Sequence, residues 1–210
     1  MACGAQSRHA GGKVFPKGGG RVALGLYKTV VLVGMMGAGK TAVGTALARR
    51  LGVPFVDSDD EIVRAANMTI PEIFERDGED FFRRKEEQVI ARLLEGRPVI
   101  LSTGGGAFMS QPTRARISAR GVSVWLKADL DLLWTRVRAR GTRPLLRTAD
   151  PYGTLARLMQ ERAPVYSLAD LTVRTLAGNS IETTAESVVE ALRARPDVLV
   201  ETEGGRAHGR

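Results

Sequence analysis

Histidine and cysteine are almost missing from this chain of 210 residues: His9, His208 and Cys3 are all there is, and all lie near its ends. The interior therefore offers neither imidazole nor thiol. That excludes serine or cysteine nucleophiles that rely on a histidine base, and zinc sites built from histidine or cysteine ligands. A single cysteine cannot form an intrachain disulfide, so the scaffold of a small secreted domain is excluded and the cytoplasm is the expected compartment. No apolar run approaches the roughly 20 residues of a membrane-spanning helix, so no membrane role is expected. What is left for chemistry is carboxylate, guanidinium, ammonium, hydroxyl, backbone and a hard, oxygen-bound metal.

Acidic residues are also in short supply, 23 against 31 lysines and arginines, a net charge of +8. Placement matters more than the sum. Residues 1–28 hold Arg8, Lys13, Lys17, Arg21 and Lys28 with no acidic residue, and five arginines crowd between Arg136 and Arg147. The first group belongs to a tail, and the second suits a segment closing over a polyphosphate. No nucleic-acid partner is expected.

The length suits one domain. Residues 1–28, rich in glycine and basic residues, read as a disordered tail, and 196–210 as a second one. Between them, 29–195, short β-branched runs alternate with amphipathic stretches, the pattern of a parallel sheet covered by helices. Strands are expected at 29–33, 54–56, 98–102, 122–126 and 171–173. Helices should begin near Lys40, Asp59, Ile70, Gly78, Gln111, Asp129, Gly153 and Ser180.

The strongest motif is GMMGAGKT, Gly34 to Thr41, between the strand TVVLV and a helix-forming stretch. This is the phosphate-binding G-x-x-x-x-G-K-[ST] loop in its required strand–loop–helix setting. Glycines let successive backbone N–H groups point at phosphate oxygens, Lys40 neutralises the β and γ phosphates, and the Thr41 hydroxyl suits Mg²⁺. Gly37, Ala38, Gly39, Lys40, Thr41 and Ala42 form the expected ATP-binding run. Asp57 and Asp59 follow the next short strand. Asp57 suits the metal and Asp59 an acceptor hydroxyl; capping of a helix by Ser58 or Asp59 is the plainer alternative.

Farther along come FFRRKEE, STGGGA, RGTRPLL and RAPVY. With the DSD run, in this order, they resemble the motif series of the shikimate kinases, from about Thr29 to Arg195. The resemblance implies a three-layer α/β/α P-loop fold with a central parallel five-stranded sheet, mobile substrate-binding helices and a lid. It also implies a monomer that phosphorylates the 3-hydroxyl of shikimate with MgATP, in chorismate and aromatic amino acid biosynthesis. Arg83 would hold the acceptor's carboxylate, Arg162 would pair with the acceptor, Glu86 would steady Arg83, and Gly104, Gly105 and Gly106 would contact the acceptor. Lys40, Asp59 and Arg143 would carry catalysis, with Arg143 reaching the transferred phosphoryl group and Arg136 or Arg138 the adenine side. Plainer readings stand beside these: a surface ion pair for Arg83 and Glu86, a simple turn for the triplet, packing for Tyr166 and Trp134. Rival functions are a gluconate or nucleoside monophosphate kinase, and, in another class, a nucleotide switch or ATPase. Asp150–Gly153 has the D-x-x-G form of a switch, but no N-K-x-D run accompanies it.

Overall fold

The structure, a computed structural model, describes residues 22–138, 146 and 148–203. In chain order its strands are β1 (Val22–Leu26), β2 (Thr29–Val33), β3 (Phe55–Asp57), β4 (Ile100–Ser102), β5 (Gly121–Ala128), β6 (Leu171–Thr175) and β7 (Leu199–Glu203). The helices are α1 (Lys40–Leu51), α2 (Ser58–Ala66), α3 (Ile70–Glu95), α4 (Gln111–Arg120), α5 (Leu130–Arg138), α6 (Pro151–Tyr166) and α7 (Ile181–Arg193). Strands β2 to β6 hydrogen-bond in the order β3-β4-β2-β5-β6, every pair parallel.

Parallel neighbours need crossovers, and crossovers are right-handed. The step from β2 to β3 runs one way along the sheet and puts α1 on one face, where it packs with α7. The steps β3 to β4, β4 to β5 and β5 to β6 run the other way, so α2 to α6 cover the opposite face. The three-layer fold expected from the sequence is the fold observed. Both faces of β2 are covered, which explains its unbroken run TVVLV: Val30, Val31 and Leu32 are 0% exposed.

Helices α2 and α3 close a second hydrophobic cluster of their own, Ile62, Ile73, Phe82 and Val89, apart from the main core. Thr69 starts α3 with a capping box: Glu72 Oε2 accepts from Thr69 N at 2.7 Å while the Thr69 side chain accepts from Glu72 N. At Gly78 the backbone leaves helical geometry, with φ 80° and ψ 171°, so α3 is two helices joined at a glycine. Each half matches one of the helix starts read near Ile70 and Gly78.

The boundaries at 29 and 195 need correction. Strands β1 and β7 lie outside that range and pair antiparallel, Leu26 opposite Leu199. Tyr27 N donates to Val198 O at 2.9 Å, and Val198 and Leu199 are 0% and 4% exposed. Each run is as long as β2, but VALGL follows a glycine-rich basic stretch and LVETE leads into another, so neither stands out alone; each becomes a strand through a partner more than 170 positions away. Below this ribbon, Lys28 Nζ reaches Asp197 at 2.8 Å, and Arg195 grips Asp197 through Nε at 2.8 Å.

Asp170 ties the start of β6 to β5. Its Oδ2 accepts from Ser123 N at 2.8 Å and Ser123 Oγ at 2.6 Å, while its own N–H donates to that hydroxyl at 2.9 Å. Ser123 is 3% exposed, so losing the carboxylate leaves buried donors without an acceptor. Asp170→Ala should lower stability by about 1–3 kcal/mol. A thermal melt should then show a drop of roughly 2–4 °C for each kcal/mol lost, and an unchanged midpoint would show that water satisfies Ser123.

Candidate active site

Strands of a parallel sheet end on one side, and there the phosphate loop, the DSD run and the glycine triplet follow β2, β3 and β4, while α3 and α6 bring Arg83 and Arg162 to the triplet. The phosphate-binding loop leaves β2 with Gly34, Gly37 and Gly39 at φ 136°, 83° and 95°, values that favour glycine. Gly39 stands at the N-cap of α1 and contributes no side-chain bond there, so the first N–H groups of the helix face the loop's hollow. Lys40 Nζ folds back over the loop, donating to Gly34 O at 2.7 Å and Met35 O at 3.1 Å. Arg136 comes from α5 and points Nη1 at Gly37 O, 3.3 Å away, with its pKa lowered by burial. Of the two arginines considered for the adenine side, Arg136 is the one placed on the cleft wall.

Asp57 ends β3 and itself caps α2, its Oδ1 accepting from Asp59 N at 3.0 Å. Capping therefore falls to Asp57, one position before the residues read as candidates. Its other oxygen, Oδ2, accepts from Thr41 Oγ1 at 3.2 Å, so the two expected metal ligands are in contact. These are neighbouring oxygen donors at the mouth of a phosphate loop, a set that fits Mg²⁺, which takes one or two protein oxygens and completes its shell with phosphate and water.

The glycine triplet follows β4 and collects the remaining charged groups. A methyl group at Gly104 would sit 2.8 Å from Glu86 Oε1 and 2.9 Å from Asp59 Oδ1. At Gly106 it would sit 2.8 Å from the Arg83 guanidinium carbon, and at Gly105 3.5 Å from Arg162 Nη1. Arg83 Nη1 donates to Glu86 Oε2 at 2.7 Å, and Glu79 accepts from its Nε and Nη2. This is no surface pair, since the Glu86 side chain is 3% exposed. Burial raises the Glu86 pKa, and Arg83 only partly offsets it; Arg83 itself, against its own burial, is raised by Glu86 and Glu79.

One cleft of about 680 Å³ runs from Asp59, Gly104 and Gly105 past Lys40 to Arg136, Thr175 and the start of α7 at Asn179–Glu182. Acidic and basic groups meet at the triplet end, and the phosphate loop lies between the two ends. A family model described as shikimate kinase matches residues 36–193, across both. The chain belongs to the shikimate kinase family.

Relatives agree. The shikimate kinase of Ruegeria pomeroyi is 66% identical over 177 residues, covering 84% of this chain and 91% of that one. That of Cereibacter sphaeroides is 61% identical over 199 residues, 95% and 98% of the two chains. Among solved structures, a shikimate kinase from Acinetobacter baumannii in complex with shikimate superposes with a TM-score of 0.76 at 38% identity, covering 80% of this chain and 94% of its own. As a shikimate kinase this chain is an enzyme, a phosphotransferase.

The sequence-based site residues of the shikimate kinase reading lie together in the structure, apart from Arg143, which falls outside the described residues. Two features went unread. The end of the cleft beyond Arg136 includes Thr175 and the N-terminus of α7, which the carboxyl-end rule for parallel strands could have signalled. Tyr166, expected to pack, also donates to Gly105 O, beside Arg162. No helix among the described residues is long and apolar enough to cross a membrane.

Gly104 has no positive φ, so only space argues against a side chain there. Gly104→Ala should keep the fold and push Asp59 and Glu86 aside, lowering kcat/KM by roughly 10²-fold, the cost of about an ångström of misplacement. Steady-state kinetics beside a circular dichroism spectrum checks this, and near-normal turnover would mean that neither carboxylate needs its present position.

Proposed function

We propose that the chain transfers the γ-phosphoryl group of ATP in line to the 3-hydroxyl of shikimate, giving shikimate 3-phosphate and ADP. The observation that carries this reading is the convergence of Arg83, Arg162 and Asp59 on the glycine triplet, one cleft away from the phosphate loop. Two guanidinium groups suit a carboxylate, and a nearby carboxylate suits a hydroxyl. A small ring with acid at one side and hydroxyls at the other fits that arrangement. A nucleotide acceptor would want a surface for its base instead.

The loop N–H groups and Lys40 hold the β and γ phosphates, and Arg136 with the start of α7 flanks the adenine end. Thr41 and Asp57 would hold Mg²⁺, which when bound would neutralise charge on the phosphate oxygens. Asp59 orients the acceptor hydroxyl or takes its proton. Arg143, placed by the RGTRPLL match alone, stabilises charge on the group in transfer. Positioning and fixed charge thus do most of the work. The family likeness also supports a cytoplasmic monomer acting in aromatic amino acid biosynthesis.

The purified chain with MgATP should release ADP with shikimate and not with gluconate or nucleoside monophosphates. Release with another acceptor would keep the kinase and overturn the clamp; release with none would favour an ATPase. Asp59→Ala should still bind ATP in a calorimetric titration while turnover falls about 10²–10⁴-fold, and a normal rate would remove Asp59 from the chemistry.

A further inference from the structure

Arg83 and Arg162 approach the same three glycines with different partners. Arg83 is held by two carboxylates, Glu86 and Glu79, at 2.7 and 3.0 Å. Arg162 makes no ion pair among the described residues. Its neighbour is Tyr166, one helical turn on in α6: Arg162 Nη1 and the Tyr166 hydroxyl both lie against Gly105, 3.5 and 3.7 Å from where a methyl group on that glycine would sit. That hydroxyl in turn donates to Gly105 O at 2.5 Å. We propose that Tyr166 is a positioning residue for acceptor binding, its hydroxyl fastening Arg162 to the backbone of the glycine triplet while leaving the arginine's charge for the substrate.

Three observations support the role. The ring is fixed: Tyr166 is 1% exposed and stacks with Phe108 at 6.4 Å and Trp125 at 6.0 Å between centroids. Phe108 belongs to the turn Ala107–Met109 directly after the triplet and Trp125 to β5, so the ring is referenced to the sheet as well as to the loop. The hydroxyl donates to Gly105 O, which only a protonated phenol can do, and turns its lone pairs toward the neighbouring Arg162 guanidinium. Burial, partly offset by Arg162, pushes its pKa up to about 12, so it stays neutral. A carboxylate in its place would orient Arg162 and cancel its charge as well. A phenol orients without cancelling, which matters where the ligand is itself an anion. Phenylalanine would fill the same space and offer neither the donor nor the lone pairs.

The inference rests on Arg162 binding the acceptor, and the test separates the two ideas. Tyr166→Phe in the full chain should raise KM for shikimate about ten-fold, the scale of one hydrogen bond to a charged group. KM for ATP should stay within about two-fold and kcat should fall less than KM rises. Combined with Arg162→Lys, the tyrosine change should add little, because both act through one contact; combined with Arg83→Lys, the two effects should multiply. An unchanged shikimate KM in Tyr166→Phe, with Arg162→Lys impaired, overturns the role of Tyr166 alone. So does an equal rise in both KM values with a lowered melting temperature, the signature of lost packing. If Arg162→Lys leaves the shikimate KM unchanged, the assignment of Arg162 to the acceptor fails, and the role of Tyr166 with it.

Discussion

Charged side chains from three separate helices meet over three residues that have no side chains, and the glycine-triplet half of the cleft depends on that meeting. Asp59 on α2, Arg83 and Glu86 on α3 and Arg162 on α6 could not approach so closely over alanines. Burying such groups is costly unless signs alternate and hydrogen bonds are made. The solution here is uneven. Glu86 is buried deeply and carries a raised pKa, whereas Arg83 keeps a third of its side chain in solvent and leans on two acids. The interaction that matters most is therefore a compromise between desolvation and attraction, with the glycines supplying the space.

The phosphate half works by different means. There the positive charge comes from backbone as much as from side chains, through left-handed glycines and a helix that begins without a side-chain cap. Asp57 joins the halves, because one of its oxygens caps the helix that presents Asp59 and the other meets Thr41. A single carboxylate thus sets the spacing between Thr41 in the phosphate loop and Asp59 beside the glycine triplet.

Local features were legible in the sequence and distant ones were not. The loop from Gly34 to Thr41 announces itself because its conformation, its charge and the flanking strand and helix are all contiguous. The triplet and Arg83 could be placed because strand ends and helix spacing are short-range matters, although their mutual contact needed the motif resemblance. Tyr166 was read for its ring alone: nothing in RAPVY says that a phenol meets a carbonyl 61 positions earlier. The same limit hid β1 and β7, whose patterns are weak separately and become strands only in each other's company. Where a residue's role is set by a partner far along the chain, composition and periodicity carry little of it.

That pairing has a consequence for the order in which the molecule is made. During synthesis β1 emerges first and has no partner until β7 follows, nearly the whole chain later. Closing so long a loop in an open chain is entropically unfavourable. Here most of that loss is met beforehand, because β2, β5 and β6 already bring Lys28 and the segment after α7 together, where Lys28 meets Asp197. The ribbon is a late seal on a body whose cleft is built from the residues between its two strands, and the strands that frame the phosphate loop can assemble while β1 waits.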